Sequence, residues 1–194
     1  MSVVPPGGGE VVGDAPDRRV EILCEVDFMH ATWTRMGPLR DGADLHVHRE
    51  HTDVFYVLAG SLGLKLADGE TVVGEGTFVR VPPMVAHGFR NAGSSELRYL
   101  NFHAPGTGFA DYMRGLGRGE RVPFDQEPPP ASGVRPASEI MMVGGGVTVG
   151  SVSFADVESV GDVFAAYVVA GADAGTWAQG TRVSGTRFVV VTAP

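Results

Sequence analysis

HVHREHTDVFYVLAG, residues 46 to 60, and GTFVRVPPMVAHGFRN, residues 76 to 91, are the stretches whose reading decides the fold. His46 and His48 stand two residues apart in an extended run, where alternate side chains point to the same side, so both imidazoles can grip one ion. Asp53 opens the next apolar stretch and His87 arrives from a separate strand, offering together three nitrogens and a carboxylate. Neutral imidazoles with one carboxylate suit a single divalent ion, Fe, Mn, Ni, Co or Zn, and the absence of thiolates speaks against a closed structural zinc site.

Outward from these stretches the chain reads as strands with turn punctuation. LHVH, DVFYVLAG, LGLKLA, the hairpin signal ADGE at 67 to 70, TVV, TFVRV, HGFRN, the turn AGSSE and LRYLNFH follow one another too closely for crossover helices. Pairing is therefore expected to be antiparallel, in a sandwich or barrel. VEILCEV and MHATWTRM add two strands upstream, separated from the core by the turn signal GPLRDGAD. The 28 Gly and 13 Pro favour many turns over long helices, which makes all-β the expected class. FADYMRGLGR, 109 to 118, has the spacing of one short helix, with Phe109, Met113 and Leu116 on one side.

Residues 1 to 18, rich in Gly, Pro and Asp, have too few large apolar groups to offset the entropy of ordering and read as a mobile tail. Residues 19 to 104 form the barrel. Residues 105 to 137 hold the helix and a Pro-rich stretch, RVPFDQEPPPASGVRP, that serves as a linker or as an extended wrap over the surface. Residues 138 to 194, a Gly and Val-rich extension, suit strands better than helices and contain no histidine. That segment extends a sheet, mediates dimer contacts or is a poorly ordered remnant.

A formal charge of −8 gives no electrostatic footprint for nucleic acid or anionic lipid, so neither is an expected partner. Cys24 is alone, which rules out an intrachain disulfide and fits a buried thiol in a reducing compartment. The N-terminus lacks the basic start and apolar core of a secretory signal, and no stretch approaches the roughly 20 apolar residues of a membrane-crossing helix, so the expected location is cytoplasmic. Exposed strands at a barrel edge invite a second subunit, hence an expected homodimer.

Together the two stretches resemble the paired motifs of the cupin superfamily. The first family motif runs Gly, five residues, His-x-His, three or four residues, Glu, six residues, Gly; His46, His48, Asp53 and Gly60 fall in its register. The second runs Gly, five residues, Pro-x-Gly, two residues, His, three residues, Asn, matched by Gly76, Pro82, His87 and Asn91. Arg40 replaces the leading Gly, Met84 the Gly of Pro-x-Gly, and Asp53 the Glu. The resemblance, over roughly residues 36 to 104, implies a small antiparallel β-barrel, a double-stranded β-helix of jelly-roll kind, with a metal held by His46, His48, Asp53 and His87. The shorter Asp53 leaves open whether it or His51 completes the set.

Phe55 and Val57 share a strand face with Asp53, and Phe89 shares one with His87, so these are expected to line an apolar pocket for a small organic molecule. Tyr99, Asn101 and His103 alternate on another strand, placing Tyr99 and His103 among the pocket candidates. The resemblance then implies a metal-dependent dioxygenase acting on an aromatic or enolic molecule, with Asp53 also expected to accept a proton. Two alternatives stand beside it: a non-oxidative isomerase or cyclase using the metal as Lewis acid, and a non-catalytic small-molecule binder.

Overall fold

The computed structural model describes residues 3–4, 8–26 and 29–143, and in the C-terminal part the backbone of 165–170, 177–178, 182–183 and 186–193. Chain order begins with β1 (Val3–Val4), β2 (Glu10–Ala15), β3 (Arg18–Val26) and β4 (Met29–Met36). The strands β5 (Thr52–Ala59), β6 (Ser61–Leu66), β7 (Gly69–Gly74), β8 (Phe78–Val81), β9 (His87–Asn91) and β10 (Leu97–Ala104) follow, and then the helix α1 (Phe109–Arg118). A 3-10 turn at Ala137–Glu139 leads to β11 (Met141–Val143), and the extension contributes β12 (Ala165–Ala170), β13 (Trp177–Ala178), β14 (Arg182–Val183) and β15 (Thr186–Ala193).

One sheet runs β11-β8-β5-β10-β4-β3-β2 and a second runs β7-β6-β9, every pairing antiparallel. The run VFYV in β5 shows why so many strands lie close together. Phe55 and Val57 point between the two sheets, packing with Leu62, Leu64, Val79 and Leu97, while Val54 and Tyr56 point the opposite way, into a cluster with Phe102, Leu100 and Met29. A continuous apolar run buried on both faces is the consequence. Among the described residues the fold is all-β with one short helix, as the sequence predicts.

Turn chemistry fixes the connections. β6 and β7 join through Ala67 and Asp68, with Leu66 opposite Gly69, at the ADGE signal. Gly60 turns the chain from β5 into β6 at φ 84, and a Cβ there would meet the Glu96 carbonyl oxygen at 2.5 Å. Only glycine fits both demands. Met84, which stands at a motif glycine, keeps a positive φ of 65 although it carries a side chain.

Two segments depart from the sequence reading. Residues 10–15, expected within a mobile tail, form an edge strand on β3, anchored because Val12 packs against Phe109 and Met113 while Arg114 of α1 pairs with Glu10 and Glu25. LHVH is not a regular strand. It is held by isolated bridges, His46 to His87 and Val47 to Glu127, and bends at Arg49 and Glu50, whose N–H groups both donate to the Asp125 carboxylate. The Pro-rich stretch takes the wrapping alternative over 124–135, since Glu127 and Arg135 bridge to Val47 and Val85. In the extension, β11 lengthens the larger sheet, whereas β12 runs parallel to β15, with β13 and β14 antiparallel to β15.

Candidate metal centre

His46 and His87 are placed by the backbone itself. Each N–H donates to the other residue's carbonyl, at 2.8 and 2.9 Å, so the two imidazoles leave one narrow bridge together. Val47 turns the opposite way into the interior, which puts His48 on the side of His46. Asp53 enters from β5, where it faces His103 of β10 and Val81 of β8. The outcome is that His46, His48, Asp53 and His87 bring one donor atom each to within 4.8 Å of one another, all four buried.

Hydrogen bonding sets the state of each ring. His46 Nδ1 donates to the Asp44 carbonyl at 2.6 Å, His87 Nδ1 to the Val85 carbonyl at 3.0 Å, and His48 Nδ1 to the Asp125 carbonyl. A carbonyl only accepts, so the proton sits on Nδ1 and the Nε2 lone pair is free. Those lone pairs then face acceptors: His46 Nε2 lies 3.1 Å from His48 Nε2, and His87 Nε2 lies 3.2 Å from Asp53 Oδ2. Such an arrangement costs several kcal/mol unless a cation stands among the donors. Outer hydrogen bonds that fix the tautomer of each imidazole are what a metal site requires. The residues fit a divalent ion.

Burial, assisted by the neighbouring His87, pushes His46 down to about 4, so the ring is neutral and able to coordinate. Burial also opposes the charge on Asp53, but its histidine neighbours, His103 first, prevail and hold the carboxyl well below the usual range. Asn101 Nδ2 donates to Asp53 Oδ1 at 2.5 Å. The shorter side chain therefore reaches the cluster and stays ionised there.

His51 is outside this group. Fully buried, it joins His48 and His103 in a second set of three. Its Nδ1 lies 3.0 Å from Asp125 Oδ2 and 2.9 Å from Thr107 Oγ1, while its Nε2 and the Nδ1 of His103 have no partner among the described residues. Burial, with His48 adding to it, pushes His51 down to about 3. His48 has one free nitrogen, so the two sets are alternatives rather than simultaneous sites.

A cavity of about 160 Å³ opens onto His46, His48 and Asp53. Phe89, Tyr99 and His103, named from the sequence as pocket candidates, are among the residues around it. Phe55 and Val57 do not, because the rings of Phe89 and Tyr99, 5.2 and 5.8 Å from that of Phe55, close over them and leave both in the core. The sequence reading also passed over contributors from outside the two motifs. Phe109, Tyr112 and Leu116 of α1 form one wall, Arg18, Thr32, Thr34 and Asn101 another. Phe124 stacks on Tyr112 at 4.9 Å and also lies against His51 and His103. Asn101 could have been found from its alternation with Tyr99 and His103, but nothing local marks Asp125.

Residues 33–103 match the cupin domain family. The likeness to cupins is carried by this domain, which spans less than half of the chain. Among solved structures, KdgF from Halomonas sp. is similar at 16% identity, with a TM-score of 0.48, covering 54% of this chain and 94% of that one. The polyketide cyclase RemF from Streptomyces resistomycificus is 24% identical, TM-score 0.46, over 54% of this chain and 79% of that one. An RmlC-like cupin from Shewanella frigidimarina is 21% identical, TM-score 0.44, over 51% and 86%. No curated protein matches the sequence. Among the described residues, no helix is long and apolar enough to cross a membrane.

Proposed function

We propose that the chain is a metal-dependent enzyme of small molecules, an oxygenase for an aromatic or enolic substrate, with the ion held by His46, His48, Asp53 and His87. The observation that carries this is the convergence of three Nε2 lone pairs and one carboxylate whose outer atoms are all engaged elsewhere. When bound there, the metal supplies a Lewis-acid centre with positions open to substrate and oxygen through the cavity. Phe109, Tyr112 and Phe89 exclude water from that end and hold a flat molecule.

Asp53 is better suited to ligation than to the proton-accepting role expected from the sequence, since Asn101 holds one oxygen and the other is turned toward the Nε2 atoms of His87 and His48. His103 favours a second reading. Neutral through burial, it lies at the cavity surface with Nε2 3.6 Å from Asp53 Oδ1, where an imidazole can move a proton without oxygen chemistry. That is the function of an isomerase or cyclase.

The test is metal analysis of protein purified without a histidine tag, then oxygen-electrode assays with flavonols, catechols, diketones and thiols. One ion per chain with oxygen uptake on one substrate class supports the oxygenase. Failure to take up any of Fe, Mn, Ni, Co or Zn overturns both readings. Stoichiometric metal and a rearranged product without oxygen uptake selects the isomerase or cyclase.

A further inference from the structure

We infer that Arg18 anchors a carboxylate on the ligand, so that the cavity selects an elongated anion reaching from the His46, His48 and Asp53 end to the guanidinium. The inference rests on the reading of this cavity as the substrate site. Arg18 is the one Arg or Lys that lines it. Neighbouring arginines are committed elsewhere, Arg19 to Asp14 and Glu21, Arg114 to Glu10, Glu25 and Asp111. Arg18 has no carboxylate partner among the described residues.

Strand register places it at the far end. His103 lies opposite Asp53, and from there the wall runs along β10 through Asn101 to Tyr99. Arg18 pairs with Met36, which pairs with Leu97, one step past Tyr99 on the same face. At roughly 3.3 Å per residue, His103 and Tyr99 are about 13 Å apart along the strand, a span the long arginine side chain shortens. Burial keeps the Tyr99 phenol protonated, and the nearby Arg18 pulls it the other way. Arg18 therefore faces a neutral hydroxyl and not an anion of the protein.

The wall between the two ends states the rest of the ligand's chemistry. Phe109, Tyr112 and Leu116 present an apolar side, and Thr32, Thr34 and Asn101 a polar one, which suits a flat ring seen edge-on. A guanidinium forks onto a carboxylate with two parallel hydrogen bonds, a geometry that a single ammonium does not reproduce. Both ends together describe a molecule with metal-seeking oxygens on a ring and an acid group some two to three bonds beyond it.

Isothermal titration of the full chain loaded with Zn(II), using 3,4-dihydroxycinnamate, its neutral carboxamide and plain catechol, tests this. The carboxylate is expected to bind at least tenfold more tightly than the carboxamide, in line with a charge-assisted hydrogen bond. Arg18→Gln should remove that preference, and Arg18→Lys should keep part of it. Equal binding of carboxylate and carboxamide by the unaltered protein, or a preference that survives Arg18→Gln, overturns the inference while binding of catechol leaves the metal-centred reading intact. A chain that takes up no metal yet shows the Arg18-dependent preference supports the inference and sinks that reading. Binding of none of the three overturns both.

Discussion

The side-chain nitrogen of Asn101 donates to Asp53 Oδ1 at 2.5 Å and also reaches the Val54 carbonyl at 3.0 Å. One amide thus ties the carboxylate to the backbone of its own strand and turns the other oxygen toward His87. Outer partners of this kind contribute substantially to metal affinity. Asn101→Leu is expected to weaken binding by about 10 to 100-fold in a chelator competition. Unchanged affinity would show that Asp53 needs no such support.

His48 belongs to both histidine sets and His51 to only one. His48→Ala should therefore leave no bound metal by elemental analysis, whereas His51→Ala should retain close to one ion per chain. The reverse result would move the site to His48, His51 and His103.

Restoring the longer carboxylate of the family motif is expected to harm this chain. Asp53 is 2% exposed and already has His87 at 3.2 Å, so the extra methylene of Asp53→Glu overfills the site. Overpacking typically costs about 1–3 kcal/mol, to be read from urea unfolding of the metal-free protein. A variant as stable as the parent would mean that the cluster has slack.

Met84 holds a left-handed backbone, which costs an L-residue about 1–2 kcal/mol. Its N–H donates to the His48 carbonyl at 2.7 Å, which fixes the conformation. Met84→Gly is expected to be more stable than Met84→Val by more than about 1 kcal/mol. Equal stability of the two in thermal unfolding would remove the strain argument.

His30 accepts the Ala110 N–H on its Nδ1 at 3.1 Å, at the start of α1. Burial lowers its pKa, against the pull of Glu25 and Asp111, so the folded protein resists protonation while the unfolded chain takes up a proton near the ordinary 6.5. The unfolded state binds more protons in the window below 6.5 and above the folded value, so stability falls as pH falls through it. His30→Gln should show a shallower loss of stability between about pH 7 and 5 than the parent. Identical slopes would contradict this.

The barrel and its four converging residues were legible because each signal is local. A two-residue spacing, a run apolar on both faces and a tight hairpin depend only on neighbours in the chain. The placement of Phe55 and Val57 was not legible, since sharing a face with Asp53 says nothing about Phe89 and Tyr99 covering them from two other strands. Asp125 was invisible for a related reason. Its carbonyl, its carboxylate and the ring beside it act on His48, Arg49, Glu50 and His51 from a segment more than seventy residues away, inside a stretch whose prolines suggest only irregular backbone.

That distant buttress bears on where the working unit of this protein ends. The family match stops at residue 103, yet the acceptor for His48, the aromatic side of the cavity and the bridge partner of Val47 all lie between 109 and 127, and Arg18 lies before residue 33. The stretch recognisable by descent is thus smaller than the stretch that must be inherited together. A fragment cut to the family match would carry every motif residue and lose the props that orient them.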